Sequence, residues 1–174
     1  MTVLLALQQA AKATAVPFEL LRAICTVESN LNPAAVNQYD GGSPSYGLCQ
    51  IKQATAELVG YEGEPEDLLN PHTNALYAAK YLKRQILRYN HDWIKAISAY
   101  NNGKACNYNV KYVNKVLDKL FERDTDGRIR HQIQKYSKSD RTHSCPLPKE
   151  KRPGKSRGDC GGHPKGHHKR ERSL

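Results

Sequence analysis

The chain has 174 residues, a formal net charge of +10 and five cysteines. The length suits one domain with a sizeable core. No apolar run is long enough to span a bilayer, and no cysteine pair has the C-x-x-C spacing of a zinc or redox site. The charge is unevenly placed: residues 1–136 hold 16 Lys+Arg against 13 Asp+Glu, whereas residues 137–174 hold 11 against 4. The chain therefore divides at about residue 136 into a nearly balanced domain, 1–136, and a basic Gly/Pro/His-rich tail, 137–174. The tail has too little apolar surface to offset the entropy of ordering and is expected to be disordered.

Val3-Leu4-Leu5-Ala6-Leu7 is apolar, but no basic region precedes it and Gln8, Gln9 and Lys12 cut it short. It does not read as an export signal. Cys25 and Cys49 lie in apolar contexts. Their simplest reading is two buried free thiols, which suggests synthesis in a reducing compartment. A disulfide such as Cys145–Cys160 stays open.

Thr2 is placed to cap a first helix reaching about Ala13, with Val3, Leu4, Leu7 and Ala11 on one side. Thr14-Ala-Val-Pro17 breaks it. Pro17 suits the first position of a second helix, where its missing N–H costs nothing. Leu20, Leu21, Ile24 and Cys25 form its apolar stripe, and Asn32-Pro33 prevents its continuation. Residues 30–46 read as an irregular loop, with turns at Asp40-Gly41-Gly42 and Ser43-Pro44. A helix from about Gln53 to Val59 stops at Gly60, and an acidic loop occupies 61–70. Asn70-Pro71 caps and opens the longest helix, to about Tyr89, with Ala75, Ala78, Ala79, Leu82, Ile86 and Tyr89 as its stripe. Its other side carries Lys80, Lys83, Arg84 and Arg88, read as a solvated face. Asp92 caps a short helix holding Trp93, Ile97 and Tyr100. A last amphipathic helix runs from about Asn107 to Phe121 with Val110, Val113, Val116, Leu117 and Leu120 inward. Residues 128–136 offer a further short helix. No segment of strand period is visible, so the fold is expected to be all-α or nearly so.

Glu28 lies four residues past Ile24 and three past Cys25, on the apolar stripe and near the helix end. Burial raises a carboxyl's pKa, and the negative end of the helix dipole acts in the same direction. A carboxyl that keeps its proton near neutral pH suits a general acid.

Three short motifs follow in order: Glu28-Ser29, Gly47-Leu48-Cys49-Gln50-Ile51 and Ala99-Tyr100-Asn101-Asn102-Gly103, with Tyr112 beyond. In this order and spacing the sequence resembles the lytic transglycosylases of the SLT type, whose pattern is Glu-Ser, Gly-Leu-Met-Gln, Ala-Tyr-Asn-Ala-Gly and then a Tyr. The resemblance covers roughly residues 15–122. Two positions depart from the pattern: Cys49 stands where Met is usual, and Asn102 where Ala is usual. The loop before Gly47 is longer than in the shortest members and looks like that of secretion-associated and phage-encoded ones.

The resemblance implies a lysozyme-like single domain with a cleft for the glycan strands of peptidoglycan. It implies cleavage of the β-1,4 bond between N-acetylmuramic acid and N-acetylglucosamine without water, giving a 1,6-anhydro product, with Glu28 as acid and then base. It also implies substrate contacts. Ser29 and Tyr100 would lie near the N-acetyl group or Glu28, and Gln50 and Asn101 beside the sugar or peptide. Tyr46 would stack on a ring beside Gly47 and Leu48, Cys49 would give a soft apolar contact, and Tyr112 would point its hydroxyl at Glu28. No cofactor or metal is called for, and a monomer is expected. With no export signal, the protein reads as a phage-encoded lysin made in the host cytoplasm, reaching the wall by holin release or virion delivery. The tail would meet anionic envelope polymers or lipids.

Three other readings stay open. Asp40 could activate water and make the enzyme a hydrolase, as in goose-type lysozymes. The chain could be a catalytically weak murein-binding module of a virion or secretion machine. The basic tail could bind nucleic acid through charge alone, though it lacks the interleaved aromatics of a stacking platform.

Overall fold

A computed structural model describes residues 2–104 and 109–121. The tail, the 128–136 segment and the Cys145–Cys160 pair lie outside the described residues. The described chain is helical: α1 (Val3–Thr14), α2 (Phe18–Ser29), α3 (Gln53–Glu57), α4 (Pro71–Arg88), α5 (Trp93–Asn102) and α6 (Val110–Phe121). Two strands of two residues each, β1 (Val36–Asn37) and β2 (Ser45–Tyr46), pair antiparallel with Val36 opposite Tyr46. The expected irregular loop is therefore a minimal hairpin. Its positive-φ Gly41 and Gly42 turn the tip.

The helix ends follow local chemistry. The Asn70 side chain accepts the His72 and Thr73 N–H groups at the start of α4, and Asp92 accepts that of Lys95 at the start of α5. Thr2 differs from expectation. Its carbonyl takes the Leu5 N–H, while its side chain makes no cap. Pro17 is the residue before α2, not its first residue, and its carbonyl accepts the Leu21 N–H. α2 stops at Asn30, which adopts the left-handed conformation that asparagine tolerates at such ends. α3 ends at Glu57, earlier than Val59. The acidic 61–70 stretch contains a 3₁₀ turn, Pro65–Leu69, that buries Leu68. α6 begins at Val110, where Asn109 accepts the Tyr112 N–H through its side chain and that of Val113 through its carbonyl.

α4 is the axis of the domain, packed by α1 and α5, while α6 lies on α2. Ala75, Ala78 and Ala79 are fully buried, and their small size lets neighbours approach the α4 backbone. Leu7, Leu20, Leu21, Ile24, Leu82, Ile97 and Val116 fill the centre. Two expected inward residues point out instead: Leu4 is 46% and Val110 61% exposed. Ala6 and Ala10 take the inner face of α1. The basic side of α4 is not simply solvated. The Lys80 ammonium sits 4.5 Å from the Tyr77 ring centroid, and Arg88 donates to the Gly103 carbonyl. Among the described residues no helix is long and apolar enough to cross a membrane.

Candidate active site

Glu28 stands one residue before the end of α2, with α6 packed against the same helix. Tyr112, buried on α6, donates its hydroxyl to Glu28 Oε1 at 2.5 Å. This contact joins residues 84 apart in sequence. Glu28's carboxyl is pushed up to about 7. Burial is the main cause. The Tyr112 hydrogen bond opposes it by favouring the carboxylate, and the charge of Asp40 adds to it. Burial and the nearby Glu28 hold the Tyr112 and Tyr100 phenols well above their usual range, so both remain donors.

Glu28 opens on a cleft of about 350 Å³. Its helical wall is formed by Tyr81 of α4 and Tyr100, Asn101 and Asn102 of α5. The remaining wall comes from the hairpin tip at Asp40 and Gly41, from Gln50, Ile51 and Lys52, and from Thr55. Among the described residues no group of three or more His, Cys, Asp or Glu is gathered as for a metal.

The Gly47–Gln50 loop departs from the expected picture. Cys25 and Cys49 are joined in a disulfide, so they are not free thiols. Both side chains are fully buried, as is Leu48. Cys49 therefore turns its sulfur to α2, away from any sugar, and Leu48 contributes to the core. Ser29 is also turned inward: its hydroxyl donates to the Leu48 carbonyl at 2.7 Å and accepts the Asn32 N–H. Tyr100 donates to the Cys49 carbonyl at 3.0 Å and not to Glu28, although its ring lines the cleft. Gln50 spends its amide on the Gly47 and Ala35 carbonyls and accepts the Ser45 hydroxyl, while still lining the cleft. Tyr46 is half-buried and outside the cleft lining, and its backbone pairs with Ile51. Gly47 has φ +70, and a Cβ there would strike Asn74 and the Leu68 carbonyl. Its role is close backbone approach. Asn101 lines the cleft and accepts from Asn109.

Three residues were missed in the sequence. Asn74 is fully buried on α4, accepts the Cys49 N–H at 2.9 Å, and donates to the Tyr46 and Leu68 carbonyls. It pins the loop. A polar residue beside the apolar stripe of α4 was the available signal. Tyr81 packs its ring 5.5 Å from that of Tyr100. Lys52 enters the cleft from the residue before α3, where no periodicity marks it.

Residues 6–121 match the family model for the transglycosylase SLT domain. The chain is 37% identical over 90 residues to protein IpgF of Shigella flexneri, covering 51% of this chain and 59% of that protein. It therefore spans less than two thirds of this relative. It is 34% identical over 100 residues to the peptidoglycan transglycosylase gp16 of Escherichia phage T7, covering 56% of this chain but 7% of that protein. The fold is similar to that of the lytic transglycosylase Slt of Pseudomonas aeruginosa, solved as an inactive mutant. The TM-score is 0.59 and the identity 20%, over 67% of this chain and 23% of that one. Family model, relatives and helical architecture agree, and the chain belongs to the transglycosylase SLT domain family, with the lysozyme-like fold of a lytic transglycosylase.

Proposed function

We propose that the chain is a lytic transglycosylase acting on the glycan strands of peptidoglycan, with Glu28 as its acid and base. One observation carries the reading: Glu28, in the cleft, has a carboxyl raised to about 7 and hydrogen-bonded by Tyr112. Such a group holds a proton near neutrality and releases it to a substrate oxygen without a large penalty.

Protonated Glu28 donates to the glycosidic oxygen between N-acetylmuramic acid and N-acetylglucosamine as the bond from that oxygen to the anomeric carbon breaks. The substrate's own N-acetyl carbonyl supports the positive charge, as in substrate-assisted glycosidases. The Glu28 carboxylate, supported by the Tyr112 hydroxyl, then takes the proton of the muramic 6-hydroxyl. That oxygen closes onto the anomeric carbon, giving the 1,6-anhydro ring and restoring the proton to Glu28. No water is consumed and no second carboxylate is needed. The buried Cys25–Cys49 disulfide supports a site of action in an oxidising compartment outside the cytoplasm.

Asp40 lines the same cleft, which favours a second reading as a hydrolase with Asp40 activating water. Mass spectrometry of muropeptides released from purified sacculi tests both readings. The expected products end in 1,6-anhydromuramic acid and vanish in Glu28→Gln. Reducing-end muramic acid would overturn the transglycosylase step in favour of hydrolysis. No Glu28-dependent product would favour a wall-binding module.

A further inference from the structure

Lys52 is the one cation lining the cleft among the described residues, and the proton transfers assigned to Glu28 do not use it. Its backbone is fixed at the start of α3, where its carbonyl accepts the Thr55 and Ala56 N–H groups at 3.0 Å. Its ammonium donates to the Asp40 carbonyl at the hairpin tip. The Asp40 carboxylate stands at 3.5 Å, beyond the roughly 2.7–2.9 Å of a charge-assisted bond. The ammonium has three donors. It is therefore located by a main-chain oxygen while its charge is only loosely matched. Both side chains are partly open, at 28% for Lys52 and 42% for Asp40. An ion pair this exposed contributes little to stability, and an incoming anion can reach it.

We propose that Lys52 anchors a carboxylate borne by the substrate: that of the muramic lactyl arm, or one on the peptide attached to that arm. The inference rests on the peptidoglycan reading above. The entering carboxylate displaces the Asp40 side chain as ion partner, while the Asp40 carbonyl keeps the ammonium in place. A cleft that otherwise carries two acidic side chains, Glu28 and Asp40, thereby accepts an anionic strand.

The test compares wild type, Lys52→Met and Lys52→Arg on three probes. Glycan strands stripped of peptide expose the lactyl carboxylate, peptide-bearing strands carry the peptide carboxylates, and chitohexaose is neutral. For Lys52→Met, KM on a carboxylate-bearing strand is expected to rise about tenfold, the loss of one charged hydrogen bond. kcat is expected to stay within about twofold, binding of chitohexaose to stay unchanged, and Lys52→Arg to recover most of the loss. A rise on stripped strands assigns the lactyl arm, and a rise on peptide-bearing strands alone assigns the peptide. An unchanged KM on both strands, or equal weakening of chitohexaose, overturns the anchor and leaves Lys52 as a brace for the hairpin. A wild type with no Glu28-dependent cleavage overturns the functional reading instead. The ratio of strand-binding Kd between Lys52→Met and wild type then still decides the anchor.

Discussion

The two walls of the cleft are built on opposite plans. On the helical side, α2, α5 and α6 hold side chains toward the cleft: Glu28 and the Tyr100 ring line it, and the Tyr112 hydroxyl reaches Glu28. On the loop side, Leu48 and Cys49 turn their side chains away from the cleft, and the segment is held by its backbone. Ser29 takes the Leu48 carbonyl, Tyr100 the Cys49 carbonyl and Asn74 the Cys49 N–H, and the disulfide ties Cys49 to α2. Helices are rigid enough to carry functional groups directly. A loop must first be made rigid, and that consumes its side chains. A motif residue beside a candidate site, such as Cys49, can serve that site entirely from behind.

If this contrast is right, damage to the loop wall should cost stability, whereas damage to the helical wall should cost rate. The largest effect on folding is expected from Cys25→Ser/Cys49→Ser. Opening a cross-link across 24 positions should lower stability by about 3 kcal/mol in a denaturant titration, with wild type in reductant and denaturant behaving alike. A double variant as stable as wild type would show that the hydrogen bonds alone hold the loop.

Glu28→Gln should do the reverse. Glu28 has its folded pKa raised from 4.5 to about 7, so its contribution to stability is fully present below pH 4.5 and is lost as pH rises through 7. At pH 8 the variant should be more stable than wild type by up to about 3 kcal/mol, at about 1.4 kcal/mol per pKa unit, and the gap should close below pH 4.5. A pH-independent difference in melting temperature would contradict the burial of Glu28 as a charge.

The smallest effect is expected from Tyr112→Phe. Its hydroxyl favours the Glu28 carboxylate, so its loss should raise the Glu28 pKa further. The alkaline fall of kcat/KM should move up by about one pH unit, and kcat should drop about tenfold because the basic form of Glu28 loses a hydrogen bond. A fall in melting temperature without movement of the pH profile would make Tyr112 a packing residue only.

The helical class, the caps at Asn70 and Asp92, and the position of Glu28 on an apolar helical face were legible in the sequence, whereas Tyr112 as the partner of Glu28 was only implied by the resemblance. Periodicity and capping act over a few residues and leave a local pattern. The sequence also led to one wrong pairing state, because burial alone cannot tell two thiols from a disulfide. The joining of Cys25 to Cys49, the inward turn of Ser29, Leu48 and Cys49, the Asn74 clamp and the entry of Lys52 beside Asp40 were decided only by tertiary structure. The Lys52–Asp40, Ser29–Leu48, Cys25–Cys49 and Asn74–Cys49 contacts close between residues 12 to 25 positions apart. At that separation the partner of a hydroxyl, an amide or a sulfur is set by how helices and loop pack together, and no period in the chain encodes it.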